Sequence, residues 1–130
     1  MLKKPLMVLM VAMMLTVGLT SVALAVFYDS WSLRVSSSDS DYTSDYSLYP
    51  GKGVDVYNST SGRSIVVRAV RADNGYVLTS WKTISSGSQS RVYTNPSSSL
   101  EYKDVKIEVK STTSGYITAT GMNAWEEYDD

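Results

Sequence analysis

The sharpest pattern in the chain is Lys103 to Lys110, KDVKIEVK, where Val105, Ile107 and Val109 alternate with Asp104, Lys106, Glu108 and Lys110. Side chains of a strand point alternately to opposite faces, so a period of two predicts a half-buried strand. A helix would scatter the same apolar residues around its axis. Trp31, Leu33 and Val35 alternate in the same way with Ser30, Ser32 and Arg34, and Val54 and Val56 alternate with Asp55 and Tyr57. Ser64 to Val70, SIVVRAV, is the most apolar run after the first 30 residues and is rich in β-branched side chains, which fits a central strand.

Turn chemistry separates these runs. Asp73-Asn74-Gly75 predicts a hairpin turn, because Asn and Gly accept positive φ at low cost. Pro50 with Gly51-Lys52-Gly53, the cluster from Asn58 to Gly62, Ser85 to Ser88, Asn95-Pro96 and Ser111 to Gly115 mark the other breaks. Seven strands are predicted, over 27–35, 53–57, 64–71, 76–84, 89–94, 103–110 and 116–124. No segment in this part of the chain carries a helical period. Short strands at regular spacing predict an all-β fold, an antiparallel β-sandwich of immunoglobulin-like or jelly-roll-like kind. A small closed β-barrel is the alternative.

The first 25 residues are different. Lys3 and Lys4 precede an apolar run from Leu6, and Ala23-Leu24-Ala25 offers a small-x-small site for cleavage after Ala25. This is the three-part pattern of a secretory signal helix, with a retained membrane anchor as the alternative. The expected product is a single domain over 26–130, with no membrane span after cleavage and an acidic tail at 125–130. Its expected location is extracellular or at the cell surface. With no cysteine in the chain, an exported domain of this size points to a bacterial source and has to be stable without disulfides.

Charge is segregated along the sequence. Beyond residue 25 there are 10 Lys and Arg against 13 Asp and Glu, a net charge of −3. The acids concentrate in the region up to Pro50 and in the tail Trp125 to Asp130, while the stretch from Gly51 to Lys110 is basic. That leaves ordinary solvated faces, or a basic body that meets its own tail or an anionic polymer of the cell envelope. Nucleic acid is not an expected partner, because a net negative chain without a basic tract lacks the phosphate-binding charge.

The absence of His and Cys removes Ser-His-Asp and Cys-His nucleophiles and the usual zinc and copper ligand sets. A carboxylate pair remains open to a hydrolase, with Glu101 and Glu108 the mid-chain glutamates, but Glu108 lies on an outward strand position that calls for no catalytic role. No catalytic residue is assigned.

The stretch Ser36 to Ser47, SSSDSDYTSDYS, carries two further expectations. Asp39, Asp41 and Asp45 present oxygens at alternate or near-alternate positions. Calcium is the one cofactor that such a set could serve. The spacing departs from an EF-hand loop: Ser44 stands where that loop requires glycine, and Pro50 where it requires glutamate. A solvated connection explains the same residues. Tyr42, Tyr46 and Tyr49, with Trp81, form the other set. The chain has ten Tyr and three Trp but a single Phe, which favours aromatic area with a polar edge, suited to interfaces and to stacking on sugars. Asn58-Ser59-Thr60 is formally a glycosylation sequon and is read here as a turn. The leading expectation is a non-catalytic binding module for a carbohydrate or cell-wall polymer. The second is a structural protein that assembles through strand edges, and the third is a carboxylate hydrolase.

Overall fold

The computed structural model describes residues 24–97 and 102–128. They form nine strands: β1 (Leu24–Val35), β2 (Asp41–Tyr42), β3 (Tyr46–Leu48), β4 (Gly53–Asn58), β5 (Ile65–Arg71), β6 (Lys82–Ile84), β7 (Gln89–Thr94), β8 (Lys103–Ser111) and β9 (Ile117–Tyr128). The strands make two separate sheets, one in the order β1-β9-β4-β7 and the other in the order β2-β8-β5-β6, with β3 also pairing β8. Every pairing is antiparallel. The fold is thus an open β-sandwich and not a closed barrel. The signal helix expected over the first residues lies outside the described residues, as do Glu101 and the last two residues of the acidic tail.

The core sits between the sheets. Val105, Ile107 and Val109 from β8 and Ile65, Val67 and Ala69 from β5 are fully buried, as the alternation requires. Each large aliphatic side chain removed from water in this way contributes about 1.5–3 kcal/mol. The first sheet supplies Trp31, Val35, Val54, Val56 and Ala119. Trp31 lies directly across from Gly121 in the β1–β9 ladder. A Cβ on Gly121 would overlap the Trp31 ring and the carbonyl oxygen of Tyr57, so the indole occupies the space that any other residue would fill.

A polar chain runs through this core. Trp31 Nε1 donates to Asn123 Oδ1 at 2.9 Å, and Asn123 Nδ2 donates to the Tyr46 hydroxyl at 2.9 Å. That hydroxyl in turn donates to Asp29 Oδ2 at 3.0 Å. Three strands and both sheets are tied together by groups that would be costly to bury unpaired. Burial, reinforced by the Asp29 carboxylate, pushes the Tyr46 phenol well above its ordinary pKa, which keeps it protonated as the donor in this chain.

The strands depart from the predicted ones in four places, and two of these have local causes. The Ser/Asp stretch was expected to be a connection but contains β2 and β3, because Tyr46 and Leu48 turn inward about an exposed Ser47. Between the two strands Thr43 accepts the Ile107 N–H on its hydroxyl at 3.1 Å and donates its own N–H to the Ile107 carbonyl at 2.9 Å. A side chain stands in for one ladder bond, and the edge strand is split there. The strand expected over 76–84 shrinks to β6, after a turn at Gly75 with φ +73. Thr79 Oγ1 takes the Ala69 N–H at 3.0 Å, where a paired strand would have offered a carbonyl, and the chain leaves the ladder until Lys82. β9 runs through Trp125 to Tyr128, so the start of the expected acidic tail is strand. β1 begins at Leu24, with Leu24 and Ala25 paired to Tyr128 and Glu127 across the site where cleavage was expected.

Candidate binding face

The outward positions of β8 and β5 build one face of the second sheet. Arg68 pairs directly with Glu108, Val66 with Lys110, and Val70 with Lys106, so these residues share a side of the sheet. Tyr42 pairs with Glu108 from the other flank and extends the same row. The excursion of the chain after Thr79 brings Trp81 over this face. The Arg68 guanidinium carbon and the Lys110 ammonium each lie 4.2 Å from the Trp81 ring centroid, and the Lys106 ammonium lies 4.3 Å from that of Tyr42. Cations over aromatic faces are attracted by the negative ring centre, by about 0.5–1 kcal/mol where water has access.

Glu108 lies at the centre of this face and is itself buried, while Asp104, one same-side position beyond Lys106, is exposed. Glu108 Oε1 accepts from Arg68 Nε at 2.7 Å and its Oε2 from Ser40 Oγ at 2.6 Å. Burial alone would raise its pKa. The bonds from Ser40 and Arg68, with Lys110 nearby, outweigh that and hold the carboxyl below its ordinary value. Both oxygens are occupied by neighbours, which fits a structural anion and not a catalytic acid.

The residues singled out from the sequence are only partly gathered. Tyr42 and Trp81 share the outer face of the second sheet. Tyr46 does not: it is 2% exposed, its ring centroid 4.3 Å from that of Trp125, and so it is a core residue with no surface to offer a ligand. Tyr49 lies past the end of β3, edge-on to Tyr102 with ring centroids 4.4 Å apart. Asp39, Asp41 and Asp45 are all exposed. Asp39 accepts from the Tyr116 hydroxyl, and Asp41 Oδ1 accepts the N–H of Tyr42. Among the described residues no group of three or more acids lies close enough to hold one ion. Asn58 of the sequon is fully buried, its Nδ2 donating to the carbonyls of Arg63 at 2.8 Å and Ile84 at 2.9 Å, so it is a turn-binding residue with no free amide to modify. No local pattern in the sequence marks Ser40, Arg68, Lys106 and Lys110 as a group. The alternation placed the two lysines outward, but their meeting with Trp81 depends on the break in pairing at Thr79.

A second feature is the edge of the first sheet. β7 forms one edge, six residues long, with a register shift against β4 and Arg91 held by Asp55 at 2.6 Å. β6 has three residues, and the β2–β3 edge is broken at Thr43. β1 is different: twelve residues in unbroken register with β9, and among the described residues no strand lies along its other flank. It carries no Lys, no Pro and no bulge, the usual means of blunting an edge. Its two charges are engaged, Asp29 by Tyr46 and Arg34 over the Tyr116 ring at 4.4 Å.

No protein-family model matches the chain, and no curated protein matches its sequence. A chain of the Bacillus endospore appendages, described as a novel family of disulfide-linked pili, has a similar structure, with a TM-score of 0.51 at 8% identity over 85% of this chain and 93% of that one. At that identity the likeness is one of fold: the sandwich seen here is an architecture also found in a pilus protein.

Proposed function

We propose that this chain is an exported, non-catalytic structural subunit that joins its partners through strand edges at or outside the cell surface. The observation that carries this reading is the edge of β1. Alternate residues of an edge strand direct their N–H and C=O groups away from the sheet, where another strand can complete the ladder. The other three edges are short, broken or shifted in register, whereas β1 is long and unbroken, and its two charges, Asp29 and Arg34, are engaged by Tyr46 and the Tyr116 ring. The secretory pattern of the first 25 residues and the fold shared with a pilus protein support the same reading. Without cysteine, any joint made by this chain has to be non-covalent or use chemistry other than a disulfide, unlike the disulfide-linked pili.

The test is association as a function of concentration, followed by sedimentation and by electron microscopy of the product. The chain should form larger species that Ser30→Lys with Ser32→Lys abolishes, because two ammonium groups on the exposed side of the edge oppose pairing. At concentrations where the parent is monomeric, the thermal midpoint of the variant should stay that of the parent. A parent that remains monomeric at every concentration, or a variant that assembles equally well, would sink the proposal.

A further inference from the structure

We infer that the outer face of the second sheet is a binding site for an anionic polysaccharide, gripped by Arg68, Lys106 and Lys110 beside Trp81 and Tyr42. This site is separate from the β1 edge and goes beyond the assembly reading. The first ground is donor capacity. Arg68 gives Nε to Glu108, and its two terminal nitrogens have no acceptor among the described residues. The ammonium groups of Lys106 and Lys110 are in no ion pair there either; their neighbours are the rings of Tyr42 and Trp81. Three cations thus converge on one surface with hydrogen-bond donors to spare; the single buried acid among them, Glu108, offsets one of these charges and has its oxygens taken by Arg68 and Ser40.

The second ground is preorganisation. Lysine and arginine ordinarily lose much side-chain freedom when they grip a ligand. Here the aromatic rings hold each charged head against the sheet beforehand. The third ground is spacing. Lys106, the Glu108–Arg68 row and Lys110 occupy successive same-side positions, so the positive groups recur at about 6.6–6.8 Å along the strand direction. A sheet face with charges at that interval suits an extended chain with repeated anionic groups better than a small anion, which would seek a pocket. Tyr42 at 41% exposure and the edge of the Trp81 ring add apolar area for the C–H faces of sugar rings. The chain as a whole has a net charge of −1, so the attraction is a property of this face and not of the bulk.

The experiment is retention of the full-length chain, purified after expression, on immobilised polygalacturonate, with dextran as the neutral control and inorganic polyphosphate as the sugar-free polyanion. Retention on polygalacturonate, not on dextran, should weaken as salt rises. Lys106→Glu with Lys110→Glu should weaken it at least about tenfold at low salt, since each reversal turns an attraction into a repulsion. The same variant should keep the parent's thermal midpoint, and Trp81→Ala should weaken retention with no change in net charge. The Ser30→Lys, Ser32→Lys variant should bind the glycan like the parent even where it no longer assembles. No retention by the parent, or equal retention by the double charge reversal, would overturn the inference. Polyphosphate held as tightly as polygalacturonate would overturn the sugar assignment. In the Lys106→Glu, Lys110→Glu variant, self-association lost with glycan binding intact would make the face a contact between copies.

Discussion

The two sheets fix their registers by different means. In the first, β1 and β9 run side by side for twelve residue pairs, and what locks them lies inside: the Trp31 indole against Gly121 and the chain of bonds through Asn123, Tyr46 and Asp29. In the second, the inward residues of β8 and β5 are small and medium aliphatics, Val105, Ile107 and Val109 beside Ile65, Val67 and Ala69. A shift of two residues there would keep every apolar side chain inward, so burial alone specifies the face and leaves the register loose. The outer pair Arg68–Glu108, directly opposed and tied to Ser40, supplies what the core does not. Steric fit is insensitive to solution conditions, whereas an ion pair responds to pH and salt, so from acid to neutral pH one sandwich holds one rigid seam and one adjustable seam.

Substitutions can separate these two means. Truncation of the aliphatic ladder should have the largest effect: Ile107→Ala should cost about 2–5 kcal/mol in denaturant unfolding, because the residue is fully buried between the sheets. Gly121→Ala comes next, at about 1–3 kcal/mol, since the Tyr57 backbone cannot yield and the Trp31 ring has to move. A variant as stable as the parent would show that the indole does not lock the first sheet.

Tyr46→Phe should cost about 1–2 kcal/mol at neutral pH by leaving the Asn123 amide without its acceptor. It should also change the alkaline limb. The folded phenol titrates above its unfolded value near about 10, so its stabilisation is whole below that pH and is lost as pH rises past it. That part of the pH dependence should vanish in the variant. The smallest effect belongs to Glu108→Gln, about 1 kcal/mol at neutral pH and less in high salt, because the isosteric amide keeps one acceptor oxygen and the Arg68 guanidinium stays partly open to water. The folded carboxyl titrates below its unfolded value near about 4.3, so its contribution is complete at neutral pH and fades as pH falls through the folded pKa. Stability of parent and variant should therefore converge in acid, measured by thermal unfolding across that range.

Strands with strict alternation were legible from the sequence almost to the residue. The run 89–94 was placed as observed, and 103–110 missed only Ser111. What was not legible depended on side chains that replace backbone partners. Thr43 and Thr79 each take a ladder bond onto a hydroxyl, and nothing in the local composition distinguishes such a threonine from a solvated one. The first hides two short strands in the Ser/Asp stretch, and the second ends a predicted strand early. Long-range convergence was equally hidden: Trp31 and Asn123 stand 92 positions apart, and only the register brings them together. The tyrosine group illustrates the same gap. Recurrence every three or four residues put Tyr42, Tyr46 and Tyr49 in one expected cluster, whereas the break at Thr43 shifts the pairing with β8 by one residue, so that Tyr46 faces the core opposite Val105 and Tyr42 stays outside opposite Glu108.

The β1–β9 pairing also decides how the molecule bears load. Leu24 at the start of β1 lies beside Tyr128 at the end of β9, so the two outer ends of this long pair meet at one extremity of the sandwich. A pull between them would open the ladder like a zipper, one pair at a time, and would never load the bonds together. A pull along the length of β1 from a strand seated on its free flank would shear many bonds at once. A fibre tied through these two ends would be compliant, and a fibre tied through the flank would be stiff.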